Sequence, residues 1–147
     1  MKTIISFILL LAITLNANDT CLKASKGLNL DGFSCANVGV LKLYFPTNSY
    51  AITKKLHKHI KVFAKFLKDN PEYSVDIYGH TDNIEDYEYN LTLSQNRAKG
   101  VKKAICSYGI DASRLYTQGK SFTEPAATNK NAEGRAYNRR IEIELLK

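Results

Sequence analysis

The chain has 147 residues, 44% of them hydrophobic and 24% charged, with nine Tyr and six Phe; this length suits one domain, and this composition excludes a disordered chain. Twenty-one Lys and Arg against 14 Asp and Glu leave a formal charge of +7. Such a balance favours an anionic partner without choosing between nucleic acid, membrane surface and acidic polymer.

Met1-Lys2 precedes an apolar run from Ile4 to Leu15, broken only by Ser6 and Thr14 and followed by Asn16-Ala17-Asn18-Asp19. A basic start, a short apolar stretch and a small residue before a polar break predict a secretory signal peptide over residues 1–17, cut after Ala17. The run is shorter than the roughly 20 apolar residues of a membrane span, and retention as an anchor is the alternative. Asn18-Asp19-Thr20 lacks the small apolar residues expected before a lipid-modified cysteine at Cys21. Residues 18–37 read as an N-terminal extension. Export places the cysteines where disulfides survive, and a Cys21–Cys35 bridge would close a loop of about 15 residues, contributing about 3 kcal/mol. Spacing does not dictate connectivity, so Cys35–Cys106 is a second pairing; otherwise Cys106 is a small apolar filler late in a helix.

A domain is expected over residues 38–147. Val38 to Phe45 is rich in β-branched, aliphatic and aromatic side chains and reads as a first strand, ended by Pro46. Ile52, Leu56, Ile60, Phe63 and Leu67 then recur at helical spacing, with lysines turned mostly away from that stripe, until Asn70-Pro71. Tyr73 to Gly79 is a second strand. A polar loop with Asp82, Glu85 and Asp86 leads to a second helix, expected to start near Ser94 as N-cap and to run to Tyr108, where Gly109 stops it. Leu115 to Gly119 is a third strand, Ala132 to Tyr137 a helical turn, and Arg139 to Leu146 a last strand with Ile141, Ile143 and Leu145 on one face. The order β-α-β-α-β-(turn)-β predicts an α/β (α+β) fold, a single mixed sheet with two main helices packed on one face.

Two charges lie on faces expected to be buried. Arg97 precedes Val101 and Ile105 at intervals of four, and Arg139 shares the parity of Ile141 and Ile143. For either arginine taken alone, a packed stem with a solvated head is the simpler explanation. Asp82, just after the second strand, is the nearest carboxylate, and an internal Asp82–Arg97 bridge would be the purely structural arrangement. One carboxylate does not neutralise two arginines, however, and a ligand anion would complete the balance.

Gly79-His80-Thr81-Asp82, Leu93-Ser94, Arg97-Ala98, Gly109-Ile110, Arg114-Leu115, Glu133-Gly134-Arg135-Ala136 and Asn138-Arg139-Arg140 together resemble the OmpA-like peptidoglycan-binding domain, over roughly residues 38–147. Related domains end outer-membrane barrels, peptidoglycan-associated lipoproteins and flagellar stator proteins. The resemblance implies a non-catalytic domain without cofactors, in the periplasm and associated with the wall or outer membrane, that binds peptidoglycan non-covalently through the meso-diaminopimelate of its stem peptide. Asp82 would hold the ligand ammonium and Arg97 a carboxylate, with Arg139, Thr47 and Asn48 lining the same pocket. A guanidinium fork suits a carboxylate because two parallel N–H···O bonds form at once.

Two positions depart from the family pattern. Phe45-Pro46-Thr47-Asn48 stands where the family usually has Phe-Asp-Ser/Thr, losing a carboxylate and an N–H. Glu85 stands where the family commonly has Gly and adds negative charge near the rim. The alternative function is an adaptor for an outer-membrane or other envelope protein. A metal or hydrolytic site at His80 and Asp82, which would share a face if the strand continued, with Glu85 and Asp86 is disfavoured because no second His or Cys lies nearby in sequence. Nucleic acid is disfavoured as a partner by the export signal.

Overall fold

The computed structural model describes residues 40–146, so the leader, the 18–37 extension and the Cys21–Cys35 pairing lie outside the described residues. Within them the elements are β1 (Val40–Tyr44), α1 (Lys54–Asp69), β2 (Ser74–Gly79), α2 (Tyr87–Cys106), a 3-10 turn (Ala112–Arg114), β3 (Leu115–Gly119), α3 (Ala132–Asn138) and β4 (Arg140–Leu146). The order is the expected one, and no helix among the described residues is long and apolar enough to cross a membrane.

Helix α1 starts where Thr53 accepts a hydrogen bond from the Leu56 amide at 3.3 Å. Its stripe of Leu56, Ile60, Phe63, Ala64 and Leu67 is buried, and Ile52 packs against the same core from just before the helix. At the other end Arg114 donates to the carbonyls of Leu67, Asn70 and Tyr73, satisfying acceptors that a helix terminus leaves open.

Helix α2 corrects the expected start. Its N-cap is Asp86, which accepts from the Tyr89 amide at 2.8 Å, and Ser94 lies two turns inside. Those first turns carry little apolar periodicity because they turn only Asn90 and Leu93 to the interior while residues 87–89 are exposed. The helix also stops at Cys106, two residues early. Tyr108 and Gly109 donate to the carbonyls of Ile105 and Cys106, and Gly109 takes φ +88°, the left-handed conformation in which helices often end.

The four strands form one mixed sheet in the order β1-β4-β2-β3, with β2 and β3 parallel and both pairs involving β4 antiparallel. Leu41, Leu43, Val75, Ile77, Leu115, Ile141 and Ile143 join the buried stripes of α1 and α2 in one core, so both main helices cover the same face. Lys42, Asp76, Tyr78, Glu142 and Glu144 alternate onto the opposite face. Gly79 and Gly119 are register partners at the top of the parallel pair. A Cβ on Gly79 would overlap the Ser94 carbonyl, and one on Gly119 would come within 2.7 Å of Ser94 Oγ. This close approach buries Ser94 and sets Arg97, one turn further on, against the end of the sheet.

Candidate functional site

Arg97 is fully buried, at 0% exposure. Its Nε donates to the Ser49 carbonyl at 2.8 Å, Nη1 to that of His80 at 3.1 Å and Nη2 to that of Pro46 at 3.1 Å. The guanidinium also lies 5.2 Å from the Phe45 ring centroid, an arrangement that stabilises a cation. Three of its five N–H groups are thus committed to backbone, and none of its hydrogen bonds is to a carboxylate. Burial lowers its pKa to about 10, with Asp82 opposing that shift and Arg139 adding to it.

Asp82 does not pair with Arg97, contrary to the structural bridge considered above. Its Oδ2 takes Arg139 Nη1 at 3.0 Å, its Oδ1 lies 3.4 Å from the Ile84 amide, and Arg139 Nε donates to the Phe45 carbonyl at 3.3 Å. Side-chain exposures of 16% for Arg139 and 8% for Asp82 set this pair outside the wholly enclosed Arg97. Arg139 is the C-cap of α3 rather than the first residue of β4. It still reaches the expected side because the chain passes directly from cap to strand. The structure therefore gathers Asp82, Arg97 and Arg139 into one cluster containing two guanidinium groups and one carboxylate.

Thr47 and Asn48 form an exposed turn above this cluster. Asn48 has φ 48°, a left-handed conformation that Asn tolerates better than most residues, which accounts for its presence in the turn. The Pro46 and Ser49 carbonyls held by Arg97 bracket the turn. Pro46 thus supplies an acceptor although it has no N–H to give. The Glu85 side chain is exposed, and its backbone carbonyl accepts from Asn90 Nδ2 at 2.8 Å.

His80 and Asp82 do not share a face. Strand β2 ends at Gly79, and beyond it the strand alternation lapses. Asp82 turns to Arg139, whereas the His80 ring lies 3.9 Å from Glu142 on the opposite side of the sheet. Arg140, which alternation sets opposite Ile141 and Ile143, is buried at 4% exposure. It donates to Glu142 at 2.8 Å and to the carbonyl of Glu124 at 3.1 Å. Neither His80 nitrogen has a hydrogen-bond partner. Burial, reinforced by the Arg140 charge, lowers its pKa to about 4. Asn138 completes this support: its side chain accepts from the amides of Ala126 and Ala127 and donates to the Ala127 carbonyl, tying the 124–131 loop to the start of β4. Alternation had hidden both Arg140 and His80. The signal available was Asn138-Arg139-Arg140 itself, in which consecutive arginines must point to opposite sides. No group of three or more His, Cys, Asp or Glu among the described residues is arranged to hold a metal.

The OmpA family model matches residues 44–139, from the last residue of β1 through the 46–49 turn, Asp82 and Arg97 to Arg139. The chain belongs to the OmpA family. The probable lipoprotein YiaD of Escherichia coli is 45% identical to this OmpA-family chain over 82 residues, covering 56% of the chain and 37% of the relative. The crystal structure of the peptidoglycan-associated lipoprotein from Burkholderia pseudomallei superposes with a TM-score of 0.69 at 28% identity, covering 71% of this chain and 89% of that one. The cell wall anchor of the T6SS from Pseudomonas aeruginosa superposes with a TM-score of 0.62 at 35% identity, covering 71% and 78%. The OmpA-family chain spans about a third of the length of the curated relatives it matches first.

Proposed function

We propose that this domain binds peptidoglycan non-covalently, as a periplasmic wall-binding module rather than an enzyme, and that meso-diaminopimelate of the stem peptide is the group it holds. The observation that carries the reading is the charge balance of the enclosed cluster. Arg97 and Arg139 face a single carboxylate, Asp82, which is already bonded to Arg139, while Arg97 has only backbone carbonyls as hydrogen-bond partners. A zwitterionic ligand supplies the carboxylate that Arg97 lacks. Its carboxylate meets the remaining N–H groups of the arginines, and its ammonium competes with Arg139 for Asp82. Because Asp82 and Arg139 lie outside Arg97, their ion pair is the one the ligand meets first, beside the 47–48 turn. Family membership and the likeness to a peptidoglycan-associated lipoprotein and a cell wall anchor support the same ligand class.

Co-sedimentation with isolated peptidoglycan sacculi tests the proposal. The domain is expected in the pellet at moderate salt and is released by free meso-diaminopimelate. An Asp82→Asn variant that still folds is expected to bind at least about tenfold more weakly, the loss of one charge-assisted hydrogen bond. Protein that stays in the supernatant at low salt refutes wall binding. Retention that free diaminopimelate does not reverse refutes the finer assignment.

A further inference from the structure

Helix α1 carries Lys54, Lys55, Lys58, Lys61, Lys65 and Lys68, all exposed. At 100° per residue, Lys54, Lys58, Lys61, Lys65 and Lys68 fall within an arc of about 80°, opposite the buried stripe, and run in single file for about 20 Å. Among the described residues one ion pair relieves the file, Lys65 with Asp69 at 2.7 Å. Elsewhere the surface mixes its signs locally: Lys42 pairs with Glu142 at 3.3 Å and Lys120 with Glu124 at 3.2 Å. Solubility is served by either arrangement, so it does not account for the segregation on α1.

Two further features set the file apart. Lys54 and Lys55 occupy the first turn of α1, which contains no acidic residue. There the helix dipole disfavours cations, so the fold itself gains nothing from them. The file also begins five residues after Ser49, whose carbonyl Arg97 holds, so its N-terminal end adjoins the turn above the Asp82–Arg97–Arg139 cluster. Val62 and Phe66, the large apolar residues of α1 nearest the file, are half-buried, so the helix itself offers no exposed apolar side chain to insert into a bilayer.

We propose that the α1 lysine file is a second contact surface, which docks along the carboxylates of peptide stems neighbouring the one held in the pocket. This rests on the wall-binding reading and adds to it a diffuse electrostatic contact with no demand for diaminopimelate. A row of exposed cations raises local affinity for a polyanion in a salt-dependent way, whereas the enclosed pocket is screened much less.

The test compares the full chain with Lys58→Glu/Lys61→Glu/Lys65→Glu and with Asp82→Asn, on sacculi and on poly-L-glutamate, from low to moderate salt. Poly-L-glutamate presents carboxylates without diaminopimelate and so probes the file independently of the pocket. The full chain and Asp82→Asn are expected to bind poly-L-glutamate in a salt-sensitive way, and the triple variant to bind it at least about tenfold more weakly. On sacculi the triple variant is expected to lose most of the salt dependence while keeping displacement by free diaminopimelate. Binding of the triple variant to both materials with unchanged affinity and salt dependence overturns the proposal. So does lysine-dependent binding to phosphatidylglycerol vesicles with none to sacculi or poly-L-glutamate, which would assign the file to a membrane. Failure of diaminopimelate to displace any variant instead strikes the pocket and leaves the file standing.

Discussion

Arg139 and Arg140 are adjacent in the chain, yet Arg139 reaches the helix-covered side of the sheet to bond Asp82, and Arg140 turns to the other side to bond Glu142. Each side sets two cations against one carboxylate, but the partners are arranged differently. On the open side Arg140 meets a carboxylate and two carbonyls, Lys42 adds a second cation to Glu142, and His80 is held neutral at ordinary pH. Glu142 illustrates the closure: burial raises its pKa, but the Arg140 hydrogen bond and nearby cations bring it below the usual carboxylate value. On the helix side Asp82 bonds Arg139, and the fully buried Arg97 bonds only backbone carbonyls. A cluster whose buried guanidinium already bonds a carboxylate supports a loop, and one whose buried guanidinium bonds only carbonyls is suited to a ligand carboxylate.

The largest effect is expected at Arg97. Arg97→Ala strands the carbonyls of Pro46, Ser49 and His80 and should lower the unfolding free energy by about 3–5 kcal/mol, read by urea denaturation. A loss of binding with stability untouched would show that those carbonyl bonds contribute little to the fold. Acid should act through the open side. The folded-state pKa of His80 is depressed from 6.5 to about 4, so its contribution is complete above pH 6.5 and is lost as pH falls towards 4, by up to about 3 kcal/mol. In His80→Leu that part of the pH dependence should vanish from a series of melting curves.

Arg140→Ala removes the partner of Glu142 and of the 124–131 loop, and should cost about 2 kcal/mol while leaving sacculus affinity within about twofold. If it abolished binding as thoroughly as Asp82→Asn, the contrast between the two sides would collapse. Asp82→Asn should reverse the pattern, costing about 1 kcal/mol in thermal denaturation against at least about a tenfold loss of binding. Lys42→Ala breaks only a partly exposed pair with Glu142 and should change stability by less than about 0.5 kcal/mol.

Much of the fold was legible because burial imposes a period. Leu56, Ile60, Phe63 and Leu67 repeat at helical spacing, and Ile141 and Ile143 at strand spacing, so the element order and the helix-bearing face followed. The start of α2 was not legible. Its first turns point Asn90 inward, a buried side chain whose amide donates to the Glu85 carbonyl, and a polar interior residue leaves no hydrophobic rhythm. At the candidate site, the burial of Arg97 followed from its place on the stripe, whereas its three carbonyl partners lie 17 to 51 residues away.

The sequence by itself placed Arg97 on the apolar stripe of its helix, because periodicity depends only on local geometry, and its ordered motifs pointed to the family. Which arginine Asp82 bonds was decided by tertiary structure. Gly79 and Gly119 let α2 settle against β2 and β3, and this places Arg97 beneath the 46–49 turn while the cap of α3 brings Arg139 to Asp82. Pairings of this kind depend on how closely elements approach one another. Side chains distant in sequence set that approach, and it leaves no local pattern in the residues that form the pair.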